Sequence, residues 1–250
     1  MSKLKLGMAL AMLLAATVQA QTLTVCAERW VPFIYRADNG AVSGLAVEAL
    51  ARAARERGVS LRYQFLALSG CYQQAAAGRT DIIAFATAAE SPAGWLQTRQ
   101  AMVYWPLYAW VRASVAGQQY RGLQQFAGLR VAWVPAYDYP RQLVRQTRWQ
   151  RVPAPDSVAS FTMLAGGRVD VVFDDYQTPL DMAHQLGGRV KRLEGLVGSY
   201  HETFSLRPGL AWLRAGLERE ARRQIASGEL DAFYRQYFRV SWQQVRAAPH

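Results

Sequence analysis

The sequence predicts an α/β protein of two lobes, each a mainly parallel sheet flanked by helices. Three observations carry this. Gly-Arg-x-Asp followed by two β-branched residues occurs twice, as Gly78-Arg79-Thr80-Asp81-Ile82-Ile83 and Gly167-Arg168-Val169-Asp170-Val171-Val172. Two copies about ninety residues apart are too few for a solenoid and fit two lobes of similar design. Between residues 23 and 85 the segments alternate β-α-β-α-β, the order of a parallel sheet covered by helices. The alternation then restarts at Gly128, after a long extended stretch.

Residues 1–20 stand outside this fold. Lys3 and Lys5 form a positive start, Leu6 to Val18 is apolar and uncharged, and Val18-Gln19-Ala20 ends in small residues. That is the pattern of a cleaved secretory signal peptide, too short for a membrane span. The expected compartment is the periplasm.

The elements follow in order. Leu23 to Cys26 is a short strand, and Asp38-Asn39-Gly40 marks a corner. Val47 to Arg57 has helical spacing and stops at Gly58. Leu61, Tyr63 and Phe65 alternate as a second strand. Tyr72 to Ala77 is a short helix closed by Gly78, and Ile82 to Phe85 is a third strand. Met102 to Val111 is extended and aromatic, a connecting strand between the halves. Gly128 to Val134, Arg148 to Val152, Val169 to Phe173 and Val190 to Leu193 supply strands of the second half. Ser157 to Leu164 and Pro179 to Leu186 supply its helices. Tyr200 to Leu206 runs extended. Leu210, Leu213, Leu217, Ala221 and Ile225 form one apolar helical stripe, read as core packing, and Leu230 to Phe238 is a last helix.

Composition removes several function classes. The chain carries a formal +11, of which Lys3 and Lys5 account for two, leaving +9. The arginines are scattered along helices, as on a solvated face, and no nucleic-acid partner is expected. The three histidines are not spaced with the cysteines as ligands, and no metal or cofactor is expected. Cys26 and Cys71 are an even pair in an exported chain, which favours one disulfide over two free thiols.

Six motifs follow in order: Trp30-Val31-Pro32-Phe33, Gly44-Leu45-Ala46-Val47-Glu48, Ala77 to Asp81, Phe126 to Ala132, Gly167 to Asp175, and the tail from Pro208-Gly209-Leu210 through Tyr234 to Tyr237. Together they resemble the polar-amino-acid type (family 3) of extracellular solute-binding proteins. The resemblance implies a type II periplasmic binding protein fold, with a ligand cleft between two lobes. It implies a first lobe of residues 21–108 and 201–250, a second of 109–200, and two hinge strands at 102–111 and 200–206. It also places Cys26 at the end of the first strand and Cys71 after the second, where adjacent parallel strands end close enough for a disulfide.

In open parallel α/β sheets, ligands sit beyond the carboxyl ends of the strands. That rule nominates Glu28 and Trp30, then Phe85, Ala86 and Thr87, then Tyr137 and Asp138, then Asp174 and Asp175. Glu90 joins them from the loop after the third strand. The resemblance makes Trp30 an aromatic lid and Asp175 the partner of a ligand amino group. Asp81 and Asp170 are read as orienting their own turns. Relatives that bind amino acids carry an Arg in the 87–95 loop that forks onto the ligand carboxylate. Here no Arg follows Glu90 before Arg99; Arg29, Arg99 or Arg141 could take its place. Four acids and three aromatics without that Arg favour a small polar or cationic solute.

The expected function is therefore a monomeric, non-enzymatic binder that delivers such a solute to an ABC-type transporter permease. A sensory partner of a membrane receptor and a cyclohexadienyl dehydratase-like enzyme on the same fold are the alternatives.

Overall fold

The computed structural model describes residues 21–86 and 91–249. The strands in chain order are β1 (Thr22–Ala27), β2 (Tyr35–Arg36), β3 (Val42–Ser43), β4 (Ser60–Phe65), β5 (Ile82–Ala84), β6 (Leu96–Gln97), β7 (Val103–Arg112), β8 (Arg130–Trp133), β9 (Gln150–Pro153), β10 (Val171–Asp174), β11 (Val190–Arg192), β12 (Gly198–Glu202) and β13 (Phe204–Leu206). The helices are α1 (Leu45–Arg55), α2 (Leu68–Ala76), α3 (Arg141–Val144), α4 (Ser157–Ala165), α5 (Gln177–Asp181), α6 (Ala183–Leu186), α7 (Ala211–Ala226), α8 (Glu229–Phe238) and α9 (Trp242–Ala247).

Two lobes result. The first holds a five-stranded sheet in the order β4-β1-β5-β13-β6. Its strands β4, β1 and β5 are parallel, with β4 at the edge, and β13 returns antiparallel. The second holds β11-β7-β10-β8-β9, with β12 also on β7. There β10, β8 and β9 are parallel, and β7 is antiparallel to β10, β11 and β12.

The stretch 102–111, expected as a connector, is instead a central strand of the second lobe. The reason lies in its burial. Eight of the ten residues of β7 are buried, so a strand covered on both faces reads as a continuous apolar run, without the alternation that marks a half-exposed strand. The helix expected over 179–186 is divided at Met182 into α5 and α6. The extended segment 200–206 changes sheets at Thr203, with β12 in the second lobe and β13 in the first.

The repeated motif has the same job in both lobes. Gly78 and Gly167 take left-handed backbone, φ +67° and +71°, as a helix C-terminus before a strand requires. Asp81 then accepts the amide of Thr24 on β1 at 2.8 Å and donates its own amide to the Thr24 carbonyl at 3.0 Å. Asp170 does likewise with Arg130 on β8, at 3.0 and 2.8 Å. Each Asp thus joins its strand to the parallel neighbour, and each carries a guanidinium, Arg207 on Asp81 and Arg130 with Arg112 on Asp170.

Both chain ends build the first core. Helix α1 buries Leu45, Ala46, Ala49, Leu50, Ala53 and Ala54, one face at i, i+4 spacing. Its alanines allow close approach of α7, where a Cβ added at Gly216 would lie 2.9 Å from the Ala53 Cβ. Phe33 is fully buried among Trp30, Phe85, Phe233, Tyr234 and Phe238. Cys26 on β1 and Cys71 on α2 form a disulfide with a Cα separation of 5.5 Å.

Candidate functional site

The carboxyl ends of β1, β5, β8 and β10 face one another across a cleft of about 350 Å³ between the lobes. That is at the small end of ligand pockets, about 300–1,000 Å³.

The first wall is the tripeptide Glu28-Arg29-Trp30, which follows β1 directly. A tight turn with a cis Val31–Pro32 bond holds it. The Trp30 amide donates to the Ile34 carbonyl at 2.8 Å, and the Phe33 amide to the Trp30 carbonyl at 2.9 Å. The turn also caps α1, since the Leu45 and Ala46 amides donate to the carbonyls of Pro32 and Phe33. Gly44 makes this possible. Its φ is +125°, and any Cβ there would sit 2.3 Å from the Phe33 carbonyl oxygen.

Each member of the tripeptide reaches the second lobe. Glu28 accepts the Tyr137 hydroxyl, Arg29 pairs with Asp181, and the Trp30 indole N–H donates to Asp175. These contacts hold the lobes together along one edge of the cleft.

The second wall comes from β8, β10 and the N-terminus of α4. Asp156 caps α4 by accepting the Ala159 amide at 2.7 Å. Asp174, the last residue of β10, accepts the Ser157 hydroxyl, the Trp105 indole N–H at 3.2 Å and the Asp175 amide at 2.8 Å. Phe85 directly follows β5 with φ +60°, a strained conformation for a bulky residue. Its ring packs edge-on against Trp30 with centroids 5.0 Å apart. Ala86 is buried and exchanges main-chain and side-chain bonds with Thr203 at the sheet crossing.

Six carboxylates line the cleft: Glu28, Asp138, Asp156, Asp174, Asp181 and Glu202. Among the described residues Arg29 is the one cation in the lining, and it is taken by Asp181. Burial raises the Glu28 carboxyl above its ordinary range, against the bonds from Tyr137 and Leu68. Asp174 is pushed well above the usual carboxylate range by burial and by the adjacent Asp175. Asp175 is fully buried and raised for the same reason of burial, but three N–H donors stabilise its charge: the amides of Gln177 and Thr178 and the Trp30 indole. Of the two, Asp174 is raised the further, since Asp175 has those donors and Asp174 feels the neighbouring carboxylate. The Tyr137 hydroxyl is also raised well above its ordinary value, by burial and by Glu28, so it stays a donor.

Of the residues nominated from sequence, Glu28, Trp30, Phe85, Tyr137, Asp138 and Asp174 line the cleft. Ala86 lies behind it at the crossing, and Asp175 lies behind Trp30. Thr87 and Glu90 fall outside the described residues. The lining also includes Trp105, Asp156, Ser157, Asp181 and Glu202, which sequence reasoning did not select. Trp105 arrives because β7 is central, and Glu202 because β12 ends at the crossing between the sheets. Arg99 and Arg141 are exposed and do not line the cleft.

The comparisons with known proteins agree with this architecture. The model of "Bacterial extracellular solute-binding proteins, family 3" matches residues 23–240. No curated protein matches the sequence. Among solved structures the chain is similar to holo ArgBP from T. maritima, with TM-score 0.67, 17% identity, and coverage of 87% of this chain and 96% of that one. It is similar to an ancestral arginine-binding protein bound to arginine, with TM-score 0.66, 19% identity, and coverage of 87% and 98%. An ancestral amino acid-binding protein, a precursor of cyclohexadienyl dehydratase, gives TM-score 0.66, 16% identity, and coverage of 87% and 95%. At such identities these likenesses show the fold; the family match over most of the chain shows more. The chain belongs to the bacterial extracellular solute-binding proteins of family 3.

Proposed function

We propose that this solute-binding protein captures a small cationic solute between its lobes in the periplasm and delivers it to an ABC-type membrane transporter. One observation carries the reading. Six carboxylates converge on a small cleft whose one lining cation is already paired. Burying carboxylates without cations is costly, and a cationic ligand removes that cost. Trp30, Phe85, Trp105 and Tyr137 add π faces that attract the same charge. In this reading Glu28, Asp138 and Asp174 contact the solute, Trp30 covers it, and Asp175 positions the Trp30 indole. The chain crossings at 98–102 and Thr203 serve as hinges, and the protein works as a monomer and a binder without turnover. ArgBP and the ancestral protein, both seen with arginine, share the fold and give a cationic solute a precedent.

The test is native mass spectrometry of protein purified from the periplasm without denaturation. A retained mass matching an amine or guanidine is the expected result. A retained anion or neutral sugar would overturn the reading.

A further inference from the structure

We propose that residues 175–181 form a clasp that holds the two lobes closed, and that the Arg29–Asp181 ion pair is the point at which the clasp releases. This goes beyond the choice of solute, because the contacts of the clasp run from protein to protein.

Three polar contacts reach from this short stretch of the second lobe to the first. The Trp30 indole N–H donates to Asp175, the Gln177 side-chain amide donates to the Tyr237 carbonyl on α8, and Arg29 pairs with Asp181. Between them Tyr176 packs against the cores of both lobes. The stretch is held to its own lobe more lightly. Pro179 is the buried residue of α5, and so short a helix is marginal by itself. Asp175 fixes its first turn by accepting the Gln177 and Thr178 amides at 2.9 and 2.8 Å. Thr178 and Asp181 also line the cleft. One lightly packed segment therefore faces the cleft on one side and grips the opposite lobe on the other, the character of an element that moves.

The grip is graded along the segment. Asp175 is fully buried and Gln177 half-buried. The Arg29 and Asp181 side chains are 49% and 35% exposed. Water and salt reach that pair most readily, and a pair so exposed contributes little to folding. It joins lobe to lobe, so its loss leaves both cores as they are and falls on the balance between open and closed cleft. A contact made in one of two conformations shifts their balance by its whole differential worth. Arg29 and Asp181 are in this sense positioning residues, acting through closure.

Pulsed dipolar spectroscopy tests this on dialysed protein with no solute added. Spin labels go on Ala76→Cys in the first lobe and Thr147→Cys in the second, both exposed positions; Cys26 and Cys71 are occupied by their disulfide. The parent is expected to show a short and a long separation, the short one dominant. Arg29→Glu sets two carboxylates against each other and is expected to lower the short-to-long ratio about fivefold or more, with Asp181→Asn lowering it less in the same direction. Arg29→Glu combined with Asp181→Arg is expected to recover most of the ratio. Thermal unfolding midpoints are expected to stay within about 3 °C of the parent, which separates closure from folding. A parent found at the long separation alone overturns the clasp. The same ratio in the parent and Arg29→Glu, or a reversed pair that recovers nothing, overturns the release point. Either failure leaves the cationic reading standing, since no solute takes part.

Discussion

Strand β10 carries an aspartate at each end, and the two live under opposite rules. Asp170 precedes the strand, at the end away from the cleft. It accepts the Arg130 amide and the guanidinium groups of Arg130 and Arg112 at 2.9 to 3.2 Å. Those bonds hold its carboxyl below the ordinary range. Asp174 closes the strand at the cleft. It meets neutral donors and a second carboxylate, with no cation, and is pushed up. One end uses charge to join strands; the other holds charge in reserve. The first lobe repeats the contrast, with Asp81 on Arg207 at one end of β5 and the strained, uncharged Phe85 at the other.

Within the first lobe, the cleft end is secured by the Cys26–Cys71 bond and the aromatic cluster around Phe33. Breaking that bond is the largest perturbation expected. It closes a 45-residue separation, worth about 4 kcal/mol on the chain-entropy model. The double variant Cys26→Ser, Cys71→Ser should lose about that much in urea unfolding, with a steeper slope because the unlinked denatured chain exposes more surface. A loss under about 1 kcal/mol would show that packing alone secures this end.

A smaller effect is expected from pH, and its sign follows from the contrast. Glu28, Asp174, Asp175 and Glu202 have carboxyls raised in the folded protein. They bind protons more readily folded than unfolded. Their contribution to stability is present at acidic pH and declines as pH rises from about 4 through their raised values. Asp170 and Glu220 are lowered, so their contribution holds above about 4 and is lost only in stronger acid. The ligand-free protein should therefore melt at a lower temperature at neutral pH than near pH 5, and Asp174→Asn should flatten the profile. A melting temperature that rises steadily over that range would mean that the cleft acids are screened or paired.

Much of this was legible in the sequence, for identifiable reasons. The two Gly-Arg-x-Asp motifs announced two lobes because a left-handed glycine and a strand-joining aspartate are local requirements. Glu28, Trp30, Phe85, Tyr137 and Asp138 could be named because they directly follow strands. Trp105 and Ser157 could not. Trp105 points into the cleft only because β7 sits beside β10, a matter of sheet order. Ser157 does so only because α4 starts at the cleft and leans on Asp174. The division of labour between Asp174 and Asp175 was equally hidden. Adjacent residues of one type differ by which face of the strand end they take, and Trp30, 145 positions away, covers one of them.

The central claim is that acids at one end of these strands serve the fold and those at the other serve the ligand. The most direct test is to measure unfolding free energy and ligand affinity together for Asp170→Asn and Asp174→Asn, using the amine or guanidine that the purified protein retains. Asp170→Asn is expected to lose about 2–3 kcal/mol of stability with its charge-assisted bonds and to keep its affinity. Asp174→Asn is expected to stay within about 1 kcal/mol of the parent, because burial and the neighbouring Asp175 already disfavour its charge in the ligand-free protein, and to bind about tenfold or more weakly. If Asp174→Asn instead unfolds as readily as Asp170→Asn while holding the amine undiminished, the claim is wrong.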